Sequence, residues 1–347
     1  MSEVTSASKL EFELHARGPL SGAVIAYLTG RSVDAGVRRL ADRAVESTNE
    51  VIFDEDIQLS LFMLYASSYG SLPQIRAELE WDTTLIETRR TLEQAFERVL
   101  RRTVQLPDPP DPEAGKVART LFALAAEDSG PSMSKYIAKQ ATPEQAAEFL
   151  VHRSIYTLRE ADPHSWAIPR LVGKPKCALV EIQSDEYGGG HPDRVHSELF
   201  AKTMRGAGLD DRYGAYLNLV PAITLASQNM MSMFGLNRRL IGAIVGHLAA
   251  FEMTSSIPNR LYGDGFRRLG FGEDVTDYFD EHVEADAVHE QIAARDLAGA
   301  LAETQPELLH DILFGAAACL SIDGRVGEHM LNCWTNNETS LEKAGTP

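Results

Sequence analysis

The segment YFDEHVEADAVHEQ places His282, Asp286 and His289 at i, i+4 and i+7 of an expected helix. At about 100° per residue the three fall within an arc of about 60°, so two imidazoles and a carboxylate share one stripe. That donor combination suits iron. The same pattern also fits a solvated acidic helix face, since Glu281, Glu284 and Glu290 lie around it. In EIQSDEYGGGHPDRVHSELF, Glu186, Asp193 and His196 fall at i, i+7 and i+10. They share a side if helical turns persist across Gly188 to Gly190, and His191 then points elsewhere. The alternative is an ordinary helix end at the glycines, with Glu186 and His196 exposed.

A further carboxylate, Glu160 in SIYTLREADPH, shares a helix face with Tyr156 and Phe149; alone it reads equally as a solvated residue or a salt-bridge partner. Together, Glu160, Glu186, His196, His282, Asp286 and His289 supply three carboxylates and three imidazoles from three helices. Helical bundles hold two irons with such sets. Three anionic ligands nearly balance two Fe(II) ions and leave positions for O2 and a substrate, and Asp193 could add a fourth carboxylate. Glu252, in the apolar run LAAFEMTSSIPNR, is either a hydrogen-bond partner behind a ligand histidine or half of a salt bridge with an arginine.

The elements that must position these residues are helical. Apolar residues recur at three- and four-residue spacing in DEDIQLSLFMLYASSY and TLEQAFERVLRR, and the prolines of LPDPPDPEAG, residues 106–115, interrupt any helix. The chain therefore divides into N-terminal accessory helices with a Pro-rich connector over 1–115 and a main bundle over 116–340. Thr142-Pro143-Glu144-Gln145 has capping-box spacing and predicts a helix running to about Ala161, where Asp162-Pro163 stops it. Further helices are expected over about 176–206, 212–234, 238–256 and 273–299, with a last one from Pro306. Strand-like alternation is scarce, so the expected fold class is all-α.

The 347 residues are 44% hydrophobic, ample for a sizeable core, and carry a formal net charge of −17. That charge opposes phosphate backbones and anionic lipid, which disfavours nucleic acid and membrane surfaces and favours a small-molecule substrate. Cys177, Cys319 and Cys333 form no CxxC pair and read as buried thiols in a reducing compartment. The N-terminus lacks a secretory pattern, and Leu240 to Met253, interrupted by His247 and Glu252, is too short to span a bilayer. A cytoplasmic location is expected.

EFLVHRSIYTLREADPHSWAIPRL, DEYGGGHPDRVHSELF and YFDEHVEADAVHE, in this order over residues 147–295, resemble the iron-containing redox enzymes of the haem-oxygenase-like diiron oxidase family. The resemblance implies a haem-oxygenase-like helical bundle and places metal ligands on Glu160, Glu186, His196, His282, Asp286 and His289, with two irons per chain and O2 as co-substrate. N-oxygenating members resemble this pattern with an extra carboxylate, usually Glu, at the position of Asp193. The implied function is a biosynthetic non-haem diiron oxidase that N-oxygenates an amine. Desaturation or C–C cleavage of an aliphatic acid or amino acid is the alternative, and non-catalytic iron binding is weaker. A homodimer and an external electron donor are also implied. Haem binding is disfavoured by the carboxylates, and a thiaminase-like nucleophile at Cys177 by its distance in sequence from Glu186.

Overall fold

The computed structural model describes residues 12–32, 36–127 and 132–343, and of residues 284–287 the backbone alone. Among the described residues there are helices and turns and no strand, as the periodicity predicts.

The N-terminal part contains α1 (Pro19–Leu28), α2 (Val37–Ser47), α3 (Glu55–Tyr69) and α4 (Thr83–Thr103). Asp54 and Asp82 cap α3 and α4 by accepting from Ile57 N and Leu85 N, and α3 stops at Gly70, φ 60°. Helix α3 is buried from Ile57 to Ala66. After the proline-rich connector come α5 (Ala114–Ala126), α6 (Met133–Lys139) and α7 (Pro143–Thr157). The capping box of α7 forms as the spacing predicts, with Gln145 N donating to Thr142 Oγ1 and Thr142 N to Gln145 Oε1.

Helix α7 ends at Thr157, short of the expected Ala161. Pro163 has no N–H to give to Arg159 O; Asp162 N donates there instead, at 3.0 Å, and the chain tightens into turns before the short α8 (Asp162–Ser165). The expected continuous helix over 176–206 is two: α9 (Gly173–Glu186) and α10 (His196–Gly206). Gly188, Gly189 and Gly190 all take positive φ, and a Cβ on Gly188 would meet the backbone of Arg194 and Val195 at 2.8 Å. The glycines therefore reverse the chain instead of merely loosening a helix.

Helix α11 (Ala222–Leu236) starts after Pro221, not at 212, because the preceding residues form turns around Gly214, φ 84°. Next are α12 (Ile241–Met253) and α13 (Ser256–Arg268), the latter lying between the helices expected over 238–256 and 273–299. Helix α14 (Glu273–Gln291) passes into a π-helical stretch, Ile292–Gly299, then α15 (Ala300–Thr304) and the long α16 (Leu309–Thr335). A Cβ on Gly246 or Gly315 would collide with the backbone of Ile312 or Ala243, so α12 and α16 cross at backbone contact. One apolar core runs from α1 and α3 through α11, α12 and α16, so the N-terminal helices share it with the bundle.

Cys319 is buried, but Cys177 is exposed and Cys333 half-buried, which corrects the expectation of three buried thiols. Cys177 sits on the outward face of α9, between the buried Pro175 and Ala178. Among the described residues no single helix is long and apolar enough to cross a membrane.

Candidate metal centre

Two groups of buried donors converge between α7, α9, α10, α12 and α14. Glu160, His196 and His282 form one, with donor atoms all within 4.8 Å of one another; Glu186, Glu252 and His289 form the other by the same measure. They adjoin: Glu186 Oε2 lies 3.0 Å from His196 Nδ1, and the rings of His196 and His282 are 4.3 Å apart.

Each donor arrives from the end or inner face of an element. Glu160 sits in the turn after α7. Glu186 is the last residue of α9 and His196 the first of α10, so the glycine reversal, not helical phase, brings them together. His282 and His289 lie on one stripe of α14 and are both buried, as their spacing predicts. Glu252 is near the end of α12, with Oε2 3.7 Å from His289 Nδ1. It therefore stands among the grouped donors, beside a histidine. The side chain of Asp286 lies outside the described residues. Asp193 is exposed on the turn Pro192–Arg194 and belongs to neither group, because the reversal breaks the phase that would have put it on the same side as Glu186.

The first group is held by hydrogen bonds that fix its donors. Tyr156 donates to Glu160 Oε1 at 2.6 Å, and Tyr278 reaches both carboxylate oxygens at 2.8 and 3.0 Å. The Tyr278 carbonyl accepts from His282 Nδ1 at 2.7 Å, which sets the tautomer and turns the Nε2 lone pair inward. That Nε2 is buried with no hydrogen-bond partner among the described residues, 3.7 Å from Glu160 Oε1. The gap is too long for a hydrogen bond and short enough for one cation to span. Burial lowers the His282 pKa to about 4 despite the nearby Glu160 carboxylate, so the ring is neutral and ready to ligate at neutral pH.

In the second group, charge dominates. His289 Nε2 lies 2.9 Å from Asp185 Oδ2, a residue the sequence reading did not single out. Burial opposes protonation of His289, but Glu252, Asp185 and Glu186 outweigh it and raise the pKa to about 9. Burial likewise pushes the Glu186 carboxyl up, against the pull of His196 and with Glu160 and Glu252 adding to the rise. A buried set of three carboxylates facing histidines is short of positive charge, and divalent cations supply it.

Three cavities meet these donors. One of about 370 Å³ is lined by Glu160, Glu186 and His196, and another of about 20 Å³ lies between Glu186, Glu252 and His282. A third, about 530 Å³, reaches Glu160 and His282 from the α13 side. The small one also touches His164, whose Nε2 is 3.1 Å from His247 Nδ1; burial keeps both rings neutral.

A family model described as "iron-containing redox enzyme" matches residues 147–324, the stretch that carries every donor above. The chain belongs to the iron-containing redox enzyme family. A nitrosourea synthase from Streptomyces achromogenes subsp. streptozoticus is 29% identical over 187 residues, 52% of this chain and 40% of that protein, so the chain spans well under half of that relative. Two crystal structures of a CADD-like protein of unknown function from Nostoc punctiforme superpose with TM-scores of 0.51 and 0.50 at 18% and 17% identity. They cover 63% and 65% of this chain and 97% of theirs. These likenesses establish the haem-oxygenase-like helical fold. Residues before 147 lie outside the family match.

Proposed function

We propose that this family member is a non-haem diiron, O2-dependent oxidoreductase that oxygenates the nitrogen of a small amine. The observation that carries the reading is the pair of adjoining buried carboxylate–imidazole groups with a 530 Å³ cavity opening onto Glu160 and His282. The residues fit iron: mixed imidazole and carboxylate donors, a buried imidazole nitrogen aimed at a carboxylate, and a local excess of negative charge. Glu160, His196 and His282 would hold one ion, and Glu186, Glu252 and His289 the other, with Asp286 added by family resemblance. Bound there, two irons supply the electrons that reduce O2 and the Lewis acidity that directs it.

The chain's own residues prepare that chemistry. Tyr156 and Tyr278 donate hydrogen bonds to Glu160 and fix the position of its carboxylate, and Tyr278 O holds His282 in one orientation. The cavity gives a substrate direct access to the first group, which iron storage would not require. Support for nitrogen as the target comes from the likeness to a nitrosourea synthase, since a nitrosourea contains an N–N=O unit.

The test is O2 uptake by the Fe(II)-loaded protein across a panel of amines and aliphatic acids, with 18O2 and mass analysis of products. Amine-dependent uptake with 18O on nitrogen is expected. A product two hydrogens lighter, or a shortened carbon chain, would replace this reading with desaturation or C–C cleavage. Uptake that no substrate alters would leave iron binding without substrate turnover.

A further inference from the structure

Asp185 and Glu186 are the last two residues of α9, and neighbours on a helix point about 100° apart. Glu186 is buried among the metal donors, while Asp185 is turned outward, its side chain 58% exposed. Even so, Asp185 Oδ2 stands 2.9 Å from Nε2 of His289, a ring only 2% exposed. The ring's other nitrogen, Nδ1, lies 3.7 Å from Glu252 Oε2, on the side of the grouped donors. A surface carboxylate thus reaches the outer edge of a buried imidazole whose inner edge faces the centre.

An ionised carboxylate accepts and never donates, so the nitrogen beside Asp185 is the one that keeps its proton. A neutral ring then has its lone pair on Nδ1, the nitrogen that faces Glu252. His282 is fixed the other way round. Its Nδ1 donates to Tyr278 O at 2.7 Å, and its Nε2 carries the lone pair 3.7 Å from Glu160 Oε1. A carboxylate at the surface contributes little as half of an ion pair, but one placed behind a ligand histidine decides which nitrogen can ligate.

We propose that Asp185 is a positioning residue that holds His289 in its Nε2–H tautomer, so that this histidine takes its metal ion through Nδ1 whereas His282 takes the other through Nε2. This rests on the two-site reading above but not on the reaction proposed for it.

The experiment uses zinc, a diamagnetic ion that accepts the same nitrogen and carboxylate donors, and reads long-range 1H–15N correlation spectra of the 15N-histidine-labelled protein saturated with it. The His289 ring signals are those missing from His289→Gln. Zinc on Nδ1 with a proton on Nε2 is expected for His289, and zinc on Nε2 with a proton on Nδ1 for His282. In Asp185→Ala the His289 Nε2 proton should shift upfield, and the zinc at this group should bind about 10- to 100-fold more weakly while the other is unchanged. Asp185→Asn, whose amide oxygen still accepts from Nε2–H, should recover part of that loss. Asp185 is exposed at the end of α9, so both variants are expected to fold. Zinc on Nε2 of His289, no zinc on this ring, or an unmoved Nε2 proton with full affinity in Asp185→Ala would each overturn the assignment. Zinc on Nδ1 in a protein whose iron form consumes no O2 would leave this inference standing and remove the proposed reaction; zinc on Nε2 in an enzyme that oxygenates an amine would do the reverse.

Discussion

Around Glu160 the donors are fixed by hydrogen bonds from tyrosines and to a backbone carbonyl, whereas around His289 they are arranged against one another's charges. Tyr156, Tyr278 and the Tyr278 carbonyl orient Glu160 and His282 before any cation arrives. His289 instead sits among Glu252, Asp185 and Glu186, and its raised pKa means that a cation must displace a proton to bind there. The backbone around His289 departs from the α-helical norm too, since the helix turns π-helical from Ile292. A centre built this way should fill in two unequal steps, the Glu160 group first.

The largest expected effect comes from breaking the prepared half. His282→Ala should weaken the tighter Fe(II) by at least about 100-fold, since even partners behind a ligand are worth 10- to 100-fold. His289→Ala and Glu186→Ala should remove only the weaker ion. Iron retention after anaerobic desalting reads both, and the reverse pattern would invert the comparison.

Acidity should separate the halves next. His289, with a pKa near 9, is protonated at neutral pH and loses that proton when a metal binds. Affinity for the weaker ion should therefore rise about tenfold per unit from pH 7 towards 9 and then level off, and the raised Glu186 pKa should steepen the fall on the acid side. The tighter ion should depend less on pH over this range, because His282, one of its two imidazoles, charges only near pH 4. Parallel pH profiles for the two ions would remove the distinction.

A smaller effect is expected from Tyr278→Phe, which deletes one donor to Glu160 and leaves Tyr156 in place. The tighter ion should weaken by about tenfold and the other should not change. Smallest of all is Asp193→Ala. Its carboxylate is exposed and apart from both groups, so iron affinity should change less than about twofold and stability by no more than about 0.5 kcal/mol. A lost iron in this variant would show that the turn at 192–194 refolds onto the centre.

Much of the centre was legible in the sequence where one helix carries it. His282 and His289 share a stripe of α14 because 3.6-residue periodicity is strict there. Across Gly188 to Gly190 periodicity no longer applies: glycine permits positive φ without requiring it, so the sequence left open both continuing turns and a helix end, and Glu186 and His196 meet through a reversal. Asp193 was drawn into the set by the first of these. Tyr278 and Asp185 gave no signal, since a tyrosine or an aspartate on a helix is ordinary until its neighbour is known. The all-α class followed from patterning, but α13, with Pro258 near its start and two glycines inside, contradicts local propensity and depends on tertiary contact; a Cβ on Gly265 would meet Ile137 O at 2.6 Å.

The central claim is that one chain holds two adjacent iron sites of unequal strength. Anaerobic Fe(II) titration of the metal-free protein at pH 7.5, followed by calorimetry, tests it most directly. Two ions per chain are expected, binding in two resolved steps with the larger proton release in the second; saturation at one ion or fewer, or two indistinguishable steps, would contradict it.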